Sequence, residues 1–130
     1  MEEWKFDFEY LRAQNYVKRQ LNQSELPNLN AILFLIGIQE LGRWKNAFTK
    51  EEKQDLMHIA VCRLLSIEGV FEFKGRDQDG WPHWTQIKPI PQNGVKDQER
   101  LLKELVITYF RGLKSEQKDL FKTSPNDEEE

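Results

Sequence analysis

Ala31-Ile32-Leu33-Phe34-Leu35-Ile36-Gly37-Ile38 is apolar on every side, and its reading decides the fold. Eight residues of helix span about 12 Å, far short of the ~20 residues that a bilayer crossing takes. A run this short and this apolar has to be enclosed by protein. It therefore predicts the central helix of a small globular domain. Upstream, Pro27 disfavours a helical residue before it and suits the start of a helix after it. Downstream, Gly42 tolerates the left-handed conformation that ends a helix. Together they bound the central helix at about residues 29–41.

Working outward, Phe6, Tyr10, Ala13, Val17 and Leu21 recur at helical spacing and predict a first helix over about Phe6 to Asn22. After Gly42, Thr49 and Glu52 match the capping box, in which each side chain answers the other's free backbone N–H. That opens a third helix, which carries Leu56, Met57, Ile59, Ala60, Val61, Leu64, Leu65 and Ile67 toward Gly69. Periodicity then changes. Val70-Phe71-Glu72-Phe73-Lys74 alternates, and Trp84-Thr85-Gln86-Ile87-Lys88 is rich in strand-favouring types. The turn-forming segment Gly75 to Pro82 between them, with Asp79-Gly80, predicts a β-hairpin over about 70–88 with a loop longer than two residues. Pro89 to Gly94 links it to a final helix from about Val95 to Arg111, ended by Gly112. The expected fold is mainly α: four helices around the central one, with the hairpin inserted before the last. Residues 1–113 form one domain. Residues 114–130 are expected to be a weakly ordered acidic tail, disordered from about Thr123.

At 130 residues the chain is large enough to bury a core without disulfides or a structural metal. Cys62 is the only cysteine, so no disulfide within the chain can form, and a reducing compartment is expected. Met1-Glu2-Glu3-Trp4-Lys5 is not the start of a secretory signal, which makes the cytoplasm the default. The net charge of −3 belongs to one end. From Lys114 onward three lysines face six acids, and the remainder carries 16 basic and 16 acidic side chains. A neutral body has no global field to gather nucleic acid or an anionic membrane.

Two constellations stand out. Trp81-Pro82-His83-Trp84 concentrates two of the four tryptophans and one of the two histidines, just after Arg76, Asp77 and Asp79. Tryptophan and arginine offer large contact area with a polar handle, so Arg76, Trp81, His83 and Trp84 are the candidate binding residues. The competing expectation folds the indoles back onto the helices to close the core. The second constellation is Glu51, Asp55, His58 and Cys62, which share one face of the third helix. All four types bind metals, and Asp55-x-x-His58 has the carboxylate–histidine spacing of di-metal bundles. Those bundles take two such motifs plus further carboxylates, and this chain has one. A solvated face is the simpler expectation, with no metal or cofactor. Glu40, at a helix C-terminus where the macrodipole disfavours an acid, calls for a basic partner such as Arg43, Lys45 or Arg63. Asp77-Gln78-Asp79-Gly80 echoes the middle of a calcium loop. Gly75 and Gln86 stand where its outer ligands belong, so a turn is expected instead. Nucleophile elbows and phosphate-cradling glycine loops are missing, and no catalytic residue is nominated.

Three functions compete. The favoured one is a non-enzymatic domain that binds a protein partner or a second copy of itself, as a homodimer, through the aromatic excursion. The second is a winged-helix-like DNA binder, with Lys74 and Arg76 on the wing. The acidic start of the third helix, Glu51-Glu52 and Asp55, opposes it, so nucleic acid is not the expected partner. The third is a small enzyme or a ligand- or metal-binding domain, whose pocket between hairpin and helices would use Glu40, Asp55, His58 or His83.

Overall fold

In the computed structural model the described residues are 2–120 other than Asn46, Gln92 and Asn93; of Val95 and 113–120 only the backbone is described. The order is α1 (Glu3–Gln20), α2 (Leu29–Leu41), α3 (Lys50–Ser66), β1 (Phe71–Arg76), β2 (Pro82–Gln86) and α4 (Val95–Leu120). The fold is mainly helical, with a two-stranded antiparallel hairpin before the last helix.

α2 is the buried centre. Ile32, Leu33, Leu35, Ile36, Gly37, Ile38 and Leu41 are all buried, which takes in every face of the helix. The Asn28 side chain caps its start by accepting from Ala31 N, and Gly42 closes it in the left-handed conformation at φ 81°. α2 packs chiefly on α3, and α1 chiefly on α4. Phe6, Tyr10, Ala13 and Val17 supply α1's share of the core, while Leu105, Val106, Tyr109 and Phe110 supply that of α4. The predicted capping box is formed in both directions, Glu52 N to Thr49 Oγ1 at 3.1 Å and Thr49 N to Glu52 Oε1 at 2.9 Å.

The α2–α3 crossing depends on Gly37. A Cβ built there would lie 2.6 Å from the backbone carbon of Leu56 and closer still to its carbonyl oxygen. Absence of a side chain lets the two helix backbones touch. That contact explains a glycine inside a helix, a position that costs about 1 kcal/mol relative to alanine.

Several boundaries differ from expectation, among them those of α1, which spans Glu3–Gln20 rather than about Phe6 to Asn22. The strands run further toward the turn, because a bulge between Phe73 and Gly75 lets β1 continue through Arg76. Gly75 takes φ 110° there, open to glycine and costly to other residues. The pairing also extends beyond β2, with Ile87 N bonded to Val70 O at 2.8 Å. At the other end, α4 does not stop at Gly112 but continues to Leu120. Gly112 is not among the glycines at positive φ, so it stays in the helix. A single helical glycine costs too little to end a helix unless the chain also turns away. The expected disorder from Thr123 to Glu130 lies outside the described residues.

Candidate functional site

The hairpin folds back so that both its strands pack against α3. Between them opens a cleft of about 420 Å³. One wall is the α3 face bearing Asp55, His58, Ile59 and Cys62, and the other is Asp77, Trp81, Pro82, His83 and Trp84 from the turn and β2. The two constellations that look separate along the chain are thus opposite sides of one space.

Asp77 builds the far wall. Its Oδ1 accepts from Asp79 N at 2.9 Å and Trp81 N at 3.0 Å, and its Oδ2 lies 2.9 Å from His83 Nε2. The turn expected of Asp77-Gln78-Asp79-Gly80 is therefore made by the carboxylate itself, which mimics a backbone acceptor. The bond to His83, followed by that from Trp81 N, holds the Asp77 carboxyl below the usual carboxylate range. Trp81 is half-buried and packs on the small cluster of Ile38, Leu41 and Leu56. Trp84 is half-buried against Phe73, with ring centroids 5.2 Å apart and planes at 60°. Its Nε1 is buried without an acceptor among the described residues. Both indoles thus serve the fold on one side and the cleft on the other.

On the α3 wall, Cys62 Sγ lies 3.6 Å from His58 Nε2. Cys62 is only 1% exposed, and burial pushes its thiol up to about 11. At neutral pH it is a protonated thiol, so this pair is not the thiolate–imidazolium couple of a cysteine nucleophile. His58 and Asp55 stand exposed at the rim. Asp55 has no hydrogen bond or ion pair among the described residues, and its charge faces the cleft uncompensated. No three His, Cys, Asp or Glu side chains converge as metal ligands must, again among the described residues.

Of the four binding residues predicted from sequence, Trp81, His83 and Trp84 line the cleft and Arg76 does not. The Arg76 guanidinium donates to Glu40 O at 2.6 Å, Leu41 O at 3.1 Å and Gly80 O at 2.7 Å. It satisfies carbonyls left open at the end of α2 and pins the hairpin turn to that helix. Glu40 also lies elsewhere. Arg63 is the basic partner it called for, at 3.6 Å, and Tyr109 Oη donates to it at 2.9 Å. Those contacts tie α2, α3 and α4 together. Asp77 was the residue that sequence reasoning undervalued; its signal was an aspartate two and four residues before the N–H groups of a glycine-containing turn.

No family model, curated protein or solved structure matches the chain. Among the described residues no helix is long and apolar enough to cross a membrane.

Proposed function

We propose that this chain is a non-enzymatic binding domain, and that the cleft between α3 and the hairpin receives a basic side chain of a protein partner. The observation that carries the proposal is the pairing of two indoles with an uncompensated carboxylate, Asp55, around about 420 Å³. A space of that size accommodates one large side chain or a small ligand. Indole faces attract organic cations through the ring quadrupole, and a nearby carboxylate adds Coulomb attraction. Asp77 adds a second negative charge that His83 offsets only when the imidazole is protonated. An anion would meet this lining with repulsion.

The protonated Cys62 thiol supports binding rather than nucleophilic catalysis at this site. A winged-helix mode has less support, because the wing cation Arg76 is engaged with backbone carbonyls and Lys74 lies on Glu72 at 2.6 Å.

The test uses n-butylammonium and n-butylguanidinium as side-chain probes and butyrate as the anionic control, followed by the indole N–H resonances. Two cation–π contacts at about 0.5–2 kcal/mol each, with the attraction of Asp55 added, sum to roughly 2–4 kcal/mol, so affinities of about 1–30 mM are expected. The Trp81 and Trp84 signals should move with both cations and stay still with butyrate. Asp55→Asn should weaken the response several-fold without lowering the melting temperature. Cations that move neither indole, or butyrate that moves both equally, would end the proposal.

A further inference from the structure

α1 carries a second apolar stripe that the core does not use. Trp4, Phe8 and Leu11 are 64%, 54% and 43% exposed. Their spacing of four and three residues sets them in one line along the helix, and Asn15 continues it. At ~100° per residue, that line lies opposite Phe6, Tyr10, Ala13 and Val17, which face the core. Three large apolar side chains in a row on a solvent face are uncommon in a monomer and mark a contact surface.

The charges beside the stripe select the occupant. Trp4, Phe8, Leu11 and Asn15 fall on the two seam positions of a heptad, which makes Asp7 and Arg12 flanking residues five apart. In two parallel copies, that spacing brings Asp7 of each beside Arg12 of the other, twice by symmetry. Antiparallel copies would instead set Arg12 against Lys5 and Asp7 against Gln14. Parallel pairing joins opposite charges, whereas antiparallel pairing opposes two cations and leaves the aspartate without one. Asn15 shares its seam position with Phe8, where a polar residue meets its own copy and specifies register and a two-stranded state. In the single chain Arg12 reaches Glu9 at 3.4 Å, an exposed pair of the kind that contributes little, and its guanidinium lies 5.9 Å from the centroid of the Phe8 ring beside the seam.

We propose that the chain self-associates as a parallel two-fold dimer through the outer face of α1, with Trp4, Phe8, Leu11 and Asn15 at the seam and Asp7–Arg12 pairs across it. The two bundles then extend away from each other, since the core faces of the two helices point outward. This surface is separate from the α3–hairpin cleft and stands or falls independently of it. Three apolar side chains per copy make a small interface, so the dimer is a reversible one.

Sedimentation velocity across a wide concentration range tests it. The expected result is a monomer–dimer equilibrium that Phe8→Glu weakens ~100-fold or more, since two unpaired carboxylates would be buried together at the seam. The melting temperature of dilute Phe8→Glu should match the parent, because Phe8 is exposed in the monomer. Asp7→Arg and Arg12→Asp should each weaken dimerisation, and the double variant should restore it. Asn15→Cys should form an interchain disulfide on mild oxidation, with buried Cys62 not competing. A monomer at every concentration would overturn the proposal, and so would a dimer indifferent to Phe8→Glu. A dimer that Phe8→Glu breaks, but that neither cross-links in the Asn15→Cys variant nor recovers in the double charge swap, would overturn the parallel arrangement.

Discussion

Asp77 shows how much of the site rests on one carboxylate. Three hydrogen bonds converge on it, two from the backbone of its own turn and one shared with His83 across the hairpin. Its folded-state pKa is depressed, so its contribution to stability is present above the ordinary aspartate value of about 3.9 and is lost as pH falls through the lowered one. Asp77→Asn keeps the acceptor for the turn N–H groups and removes the charge. The variant should be less stable than the parent at neutral pH and equal to it at strongly acid pH, as read from urea midpoints. A difference that persists in acid would assign the loss to shape rather than charge. Asp55, one wall away, forms no such bonds among the described residues, which leaves its charge for a ligand.

Among the elements, the packing of α2 on α3 carries the tightest constraint. Gly37→Ala would gain about 1 kcal/mol of helix propensity. It would also drive a methyl group into the Leu56 backbone, which cannot rotate aside as a side chain can. Overpacking of a core typically costs about 1–3 kcal/mol, and a clash with backbone belongs at the upper end or beyond it. The clash outweighs the propensity. Gly37→Ala should therefore lower the urea midpoint markedly, whereas Gly112→Ala, with open space around it, should not. Equal behaviour of the two variants would mean that α2 and α3 do not meet at Gly37. The capping box of α3 was readable because it is local. The continuation of α4 past Gly112 was not, since a glycine alone does not reveal whether the chain turns there.

For the molecule as a whole, Arg76 is the link between the helical body and the hairpin. Its hydrogen bonds to Glu40 O and Leu41 O join two regions about 35 positions apart in the chain. Hydrogen bonds from charged donors contribute roughly 1.5–3 kcal/mol each when well formed, less where exposed. Arg76→Ala should cost about 1–3 kcal/mol in urea denaturation. It should also weaken n-butylammonium binding, although Arg76 does not line the cleft, because the wall carrying Trp81 would lose its anchor. Unchanged stability would show that Trp81, packed on Ile38 and Leu41, seats the hairpin without it.

The helices, their order, the hairpin and the buried status of α2 follow from the chain alone, because each depends on local periodicity, caps and turn residues. Half of the site was legible in the same way: Trp81, His83 and Trp84 stood out as unusual types close together, and Asp55, His58 and Cys62 as one helical face. That these two groups confront each other was decided only by the tertiary structure, since the angle at which a hairpin folds onto a helix depends on packing at Trp81 and on the Arg76 bonds. The same holds for Arg76, whose sequence neighbours say nothing of the open carbonyls it reaches. It holds too for Trp4, Phe8 and Leu11. The repeating stripe of Phe6, Tyr10, Ala13 and Val17 was legible in the chain, but only the packing of α4 and α2 against it shows that Trp4, Phe8 and Leu11 on the opposite side are left bare.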